Sequence, residues 1–181
     1  MVSFRLQSFE YSLDRGDRIA TVGDPWRAFA RENGAPELDG DAVLGNSVFD
    51  YIADEPTRSF YQRVFEQVRA TDRPVVVPFR CDSPTLRRFM RMEVRHLPPC
   101  GIGLKSILER VEPCPRQTLL DAELPTSESA ITMCSCCKRV LIEPVGWLAM
   151  EDAARQPALV GTDTRPQTRY ALCPSCGRLA G

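Results

Sequence analysis

Leu86-Arg87-Arg88-Phe89-Met90-Arg91-Met92-Glu93-Val94-Arg95-His96-Leu97 decides how the front of this chain folds. From Met90 onward it alternates: Met90, Met92, Val94 and His96 fall on one face, and Arg91, Glu93 and Arg95 on the other. A period of two with one apolar face is the pattern of a strand buried on one side, and such strands belong to antiparallel sheets covered on a single face. Asp82-Ser83-Pro84 separates this run from a β-rich one over Val75 to Cys81, and Pro98-Pro99-Cys100-Gly101 separates it from another over Ile102 to Val111. Both breaks carry turn chemistry, so the three runs are predicted to be antiparallel neighbours.

Toward the N-terminus, Phe9 to Leu13 and Arg18 to Val22 alternate around Asp14-Arg15-Gly16-Asp17, which predicts a β-hairpin. A short helix is expected over Pro25 to Gly34, capped by Asp24 and stopped at Asn33-Gly34, and a brief helical turn over Val43 to Ile52. Asp54-Glu55-Pro56 opens a longer helix running toward Ala70, with Phe60, Tyr61, Val64, Phe65 and Val68 forming an apolar stripe. Thr71-Asp72-Arg73-Pro74 ends it. Two strands, helices and three strands define an α+β fold: a five-stranded antiparallel sheet with helices on one face.

The rest of the chain is organised by cysteine. Cys134-Ser135-Cys136-Cys137 and Cys173-Pro174-Ser175-Cys176 each present two thiols on one turn, and two such turns supply the four sulfurs of a tetrahedral metal site. Cys134, Cys137, Cys173 and Cys176 are the candidate ligands of a structural Zn²⁺. Cys136 is left as a spare thiol, and Gly177 is expected to take a positive φ that turns backbone N–H groups toward sulfur. Iron in a rubredoxin-like cage, a redox pair and unligated thiols are the alternatives. A closed four-thiolate shell has no position for water, which argues against zinc catalysis. Around the pairs, Lys138 to Ile142 reads as a strand and Trp147 to Ala154 as a short helix. The apolar content of this segment is small, so metal ligation would have to supply much of its stability.

Lys and Arg number 23 against 24 Asp and Glu, so net charge offers no general attraction to nucleic acid. Arg80, Arg87, Arg88, Arg91 and Arg95 crowd one region and are read as a solvated strand face. No apolar run is long enough to cross a bilayer. Met1-Val2-Ser3-Phe4-Arg5 leads into polar residues unlike a secretory signal, and eight cysteines outside an extracellular pattern point to a reducing compartment, the cytoplasm.

The order of elements, together with Asp17-Arg18-Ile19 leading to Trp26-Arg27-Ala28-Phe29-Ala30, Val43-Leu44-Gly45-Asn46-Ser47-Val48-Phe49-Asp50-Tyr51-Ile52, and Arg73-Pro74-Val75 leading to Phe79-Arg80-Cys81-Asp82-Ser83-Pro84, resembles the PAS sensor family. Met133-Cys134-Ser135-Cys136-Cys137-Lys138-Arg139-Val140, Trp147 and Cys173-Pro174 narrow this to the bacterial PAS proteins with a CSxCK…CPxC tail. The sequence departs from those relatives at Cys136, where an aromatic is usual, and in lacking a His before the last pair. The resemblance implies a sensor or protein-interaction domain whose helices cup a ligand cavity, often dimeric and attached to an output domain. No Gly-rich nucleotide loop, phosphoacceptor-histidine helix or helix-turn-helix pair is seen. Action through a protein partner or as a homodimer is therefore expected, with the cavity either empty or open to a range of small-molecule ligands.

On this reading residues 1–8 are an N-terminal extension, 9–113 the sensor domain, 114–130 a linker and 131–181 the four-cysteine module. His96, Trp26, Phe29, Phe60 and Met92 are candidate pocket residues, with Phe49 and Val64 beside them. His96, the single histidine, is the obvious haem-ligand candidate, yet a lone histidine on an apolar strand is more often a hydrogen-bonded core or edge residue. Haem is not expected, nor is flavin, because the Asn-Cys-Arg string of the flavin-adduct branch is absent. No nucleophile–base pair is evident, so an enzyme is not expected. A nucleic-acid-binding regulator using the zinc ribbon and a haem or thiol redox sensor are the alternatives.

Overall fold

Short β-rich runs separated by turn residues produce five strands in the front half of the computed structural model, which describes residues 8–26, 40–156, 159 and 163–178. β1 (Ser8–Leu13) and β2 (Ile19–Val22) form the expected hairpin. Its turn is held by Asp14, whose Oδ1 accepts from the N–H groups of Gly16 (2.8 Å) and Arg18 (3.0 Å), while Asp17 takes φ 59°. β3 (Val75–Arg80), β4 (Leu86–Leu97) and β5 (Gly101–Pro113) follow as an antiparallel meander. β5 closes the sheet against β1, giving the order β2-β1-β5-β4-β3.

Helices fill the stretch between β2 and β3. α1 (Gly40–Val43) and a 3-10 turn (Val48–Tyr51) stand where one brief helix was expected. Pro25 and Trp26 are helical, but the rest of the short helix expected there, Phe29 included, lies outside the described residues. α2 (Glu55–Thr71) is the long helix. Asp54 caps it by accepting from Thr57 N–H at 2.9 Å, and Asp72 ends it in the left-handed region at φ 55°. Phe60, Val64, Phe65 and Val68 pack down onto Val77, Val94, Ile102 and Leu104, and this is the main core. Arg69 fixes the far end of α2 by donating to Asp17 Oδ1 (2.6 Å) and Cys100 O (3.0 Å).

The opposite face of the sheet carries charge, as the alternation of β4 predicts. Arg91 pairs with Glu93 and, at 3.0 Å, with Glu109; Lys105 pairs with Glu10 at 2.7 Å. Pairs of this kind on an open sheet face are the behaviour of a solvated strand face. Arg80 and Arg87 depart from that reading: Arg80 is largely covered against the fully covered Asp82 side chain, and both arginines reach Glu151, far along the chain.

A second, four-stranded sheet follows, with order β8-β7-β6-β9. Its strands are β6 (Thr126–Cys134), β7 (Val140–Ile142), β8 (Gly146–Leu148) and β9 (Arg165–Ala171). β6 and β9 run parallel; the other pairs are antiparallel. Leu119, Ile131, Met133, Val140, Met150 and Ala153 form its small core. Leu119 and the first residues of β6 thus lie within the stretch read as a linker, residues 114–130.

Two local expectations are corrected. Trp147 and Leu148, read as the start of a helix, are in β8, with Trp147 opposite Leu141; the helical part, α3, is only Met150–Ala153. Glu143-Pro144-Val145-Gly146, with Gly146 at φ 102°, folds the chain back as a hairpin before any helix can begin. The strand expected from Lys138 starts at Val140, because Lys138 sits at φ 61° and Arg139 O accepts from Cys134 N–H (2.7 Å) to close the cysteine turn.

Candidate metal centre and apolar cavity

The end of β6 carries Cys134, the turn after it carries Cys137, and α4 (Pro174–Gly177) carries Cys176 one turn beyond its N-cap, Cys173. Parallel pairing of β6 with β9 aligns Cys134 with Ala171, which brings the two cysteine turns side by side. The four sulfurs of Cys134, Cys137, Cys173 and Cys176 all lie within 4.8 Å of one another, and Cys137 Sγ is 3.6 Å from Cys173 Sγ. A tetrahedral ion bonded to four sulfurs at about 2.3 Å sets them about 3.8 Å apart. The residues therefore fit a metal ion. All eight cysteines are free of disulfides.

The donors around the cluster are those a thiolate needs. Cys173 N–H donates to Cys134 Sγ at 3.4 Å. The Cys134 thiol is pulled down to about 4, first by the hydrogen bond from the Cys137 thiol and then, against burial, by the backbone N–H groups of Cys137, Cys173 and Cys136. Cys136 lies beside the quartet rather than in it, and burial, with the neighbouring Cys134 charge, pushes its thiol up to about 12. The glycine expectation is corrected. Gly177 is helical, donating its N–H to Cys173 O at 2.9 Å, because Pro174 starts a helical turn that runs through it. The left-handed residue is Lys138, just after the first pair; its Nζ reaches Ser135 O at 3.3 Å.

The cysteine turn is docked on the front sheet. Arg80 N–H, at the end of β3, donates to Cys136 O at 2.7 Å. Ser135 Oγ lies 2.5 Å from Thr57 Oγ1 in the first turn of α2, and that threonine in turn donates to Asp54 Oδ1 at 2.7 Å. Leu172 packs against both the main core and the cysteines. Thr57→Val keeps the shape of the side chain and removes its hydroxyl, so it is expected to cost about 1–2 kcal/mol in urea denaturation. An unchanged midpoint would mean that this contact contributes nothing to docking.

Above the sheet, α2, α1 and the 3-10 turn border a half-open cavity of about 300 Å³. Its walls include Tyr11, Trp26, Tyr61, Phe65, Met92 and Leu104, with no charged side chain among its described lining. Of the candidate pocket residues, Trp26 and Met92 line it. Phe60 instead is sealed in the core at 0 % exposure, and Val64 likewise. His96 is elsewhere: Nδ1 is 3.1 Å from Asp72 Oδ1 and Nε2 is 3.3 Å from Pro99 O, at the C-terminal end of α2. Alternation puts His96 on the covered face of β4, but there the strand has reached the last residue of the helix, and a polar cap receives it.

Tyr11, Tyr61 and Phe65 were not singled out as pocket residues. The signal was present in part, since Thr57, Tyr61 and Phe65 recur at four-residue intervals and so share one flank of α2. The chain matches no protein-family model and no curated protein. Among the described residues no helix is long and apolar enough to cross a membrane.

Proposed function

We propose that this chain is a PAS-type sensory module of the cytoplasm, acting through ligand- or partner-dependent association rather than catalysis. A structural Zn²⁺ held by Cys134, Cys137, Cys173 and Cys176 would fix the tail. The observation that carries this reading is the apolar cavity between a five-stranded antiparallel sheet and α2, with a four-sulfur cluster docked on the first turn of the same helix. A change in the cavity walls at Tyr61 and Phe65 is one or two helical turns from the residue that touches the cysteine turn. When bound, the ion supplies a cross-link between β6 and α4; the chain's own residues hold it and anchor its loop through Arg80, Thr57 and Ser135.

The pairing of Arg80, Arg87 and Arg91 with acids counts against a nucleic-acid surface, which depends on unneutralised cations. The hydrogen bonds of His96 to Asp72 and Pro99 give it no cysteine partner, which counts against thiol catalysis. Native mass spectrometry of the purified full chain is expected to show one zinc per chain, two chains per particle and, where a ligand is retained, one small molecule per cavity. Metal-free protein that is fully folded would defeat the structural-metal part of this reading. A salt-dependent complex with DNA or RNA would defeat its partner class.

A further inference from the structure

We propose that the cavity takes a small, uncharged aromatic molecule bearing one hydrogen-bonding group, which the hydroxyls of Tyr11 and Tyr61 receive. This rests on the reading of the cavity as a ligand site and adds the chemistry of the ligand.

The space sets the size. About 300 Å³ is at the lower end of small-molecule pockets, room for a one- or two-ring compound. The walls set the character. Trp26 lies against Tyr11 with ring centroids 5.3 Å apart, and Tyr61 against Phe65 at 6.0 Å, so a guest ring meets aromatic faces and edges from both sides. With no Asp, Glu, Lys, Arg or His among the described lining, an ionised guest would lose its hydration and gain no counter-charge.

Three phenols line the cavity, and they differ. Tyr51 is satisfied, its hydroxyl accepting from Asn46 Nδ2 at 2.9 Å. Tyr11 and Tyr61 make ring contacts, but neither hydroxyl has a hydrogen-bond partner among the described residues. Tyr11 and Tyr61 are half-buried, and a phenol hydroxyl without a protein partner in the wall of a pocket is open to water or to a ligand. Burial raises both phenols well above their ordinary range, and the acidic groups of Cys136 and, less, Tyr11 nearby raise Tyr61 further. Both therefore remain neutral O–H groups, each able to donate or to accept. A carbonyl or similar group entering between them exchanges its lost hydration for these bonds, whereas a hydrocarbon of the same shape leaves them unmet.

Calorimetric titration of the metal-loaded full chain with acetophenone, ethylbenzene and benzoate tests this. Acetophenone is expected to bind once per chain, roughly tenfold or more tighter than ethylbenzene, with benzoate undetectable. In Tyr11→Phe/Tyr61→Phe the two neutral probes should converge, while the retained affinity for ethylbenzene reports that the cavity is intact. The wild-type comparison stands without the variant, should the variant not fold. Equal binding of acetophenone and ethylbenzene by the wild type, or preference for benzoate, would overturn the inference and leave the ligand site standing. Binding of none of the three would remove both.

Discussion

Cys173→Ser is expected to release the metal and to unfold the second sheet while the front sheet keeps its fold. Cys173 is 1 % exposed, sits 3.6 Å from Cys137 Sγ, and sends its N–H to Cys134 Sγ. It is therefore placed both to ligate an ion and to give its backbone N–H to another of the four sulfurs. The second sheet has a core of six buried residues and two strands of three residues each, too little to hold alone. Structural zinc contributes on the order of 10 kcal/mol in small modules of this kind, and three sulfurs retain only part of it. Loss should appear as absence of stoichiometric metal in native mass spectra and as rapid amide exchange across β6 and β9. Cys136→Ser, beside the quartet but outside it, should keep the metal. A Cys173→Ser protein that retains one ion at wild-type stability would show that Cys173 is not a ligand, and metal loss in Cys136→Ser would likewise show that the ligands are misassigned.

The front sheet was legible because each of its strands shows its burial locally. β4 alternates over residues that pair on both sides, and α2 carries its own cap at Asp54, its stripe, and its stop at Asp72. The four cysteines were legible because chelate spacing is a local property. The second sheet was less so: Trp147-Leu148 next to Ala149-Met150 has helical composition, and only the hairpin before it decides otherwise. The first part of β6, Thr126-Ser127-Glu128-Ser129-Ala130, is polar, and its pairing with β9 joins residues about forty positions apart in the chain through a parallel contact that no short pattern encodes. The cavity shows the limit within a single helix. Phe60, Tyr61, Val64 and Phe65 all read as one stripe, yet Phe60 and Val64 enter the core while Tyr61 and Phe65 also face the cavity. A rotation of α2 by a fraction of a turn would exchange them, and that rotation is set by packing against strands distant in sequence.

Asp82→Ala is expected to destabilise the chain by about 3–5 kcal/mol, the cost of stripping one partner from a buried ion pair. The Asp82 side chain is 0 % exposed; Oδ2 is 2.5 Å from Arg80 Nη2, and Oδ1 accepts from Arg88 N–H at 3.0 Å. Arg80 in turn reaches Glu151 of α3 at 3.1 Å, and Arg87 reaches the same carboxylate at 2.6 Å, so these groups join the first sheet to the second. Burial opposes the charge on Arg80, and its bonds to Asp82 and Glu151 more than restore it. With Asp82 gone the guanidinium keeps the partly exposed Glu151 as its acid partner, and the Arg88 N–H loses its acceptor. Arg80→Met combined with Asp82→Ala should recover part of the loss, because it removes the stranded charge. Glu151 adds a pH dependence of known sign. Burial pushes its carboxyl up, but a backbone N–H, Arg80 and Arg87 outweigh it and leave it below the ordinary value of 4.5. A carboxyl depressed in the fold stabilises it above that ordinary value, and the stabilisation drains away as pH falls through the lower, folded one. Glu151→Gln should therefore flatten the acid limb of a stability profile measured by urea denaturation and leave the slope near neutrality unchanged. An Asp82→Ala midpoint equal to that of the wild type would mean that the buried Arg80–Asp82 pair contributes nothing to stability.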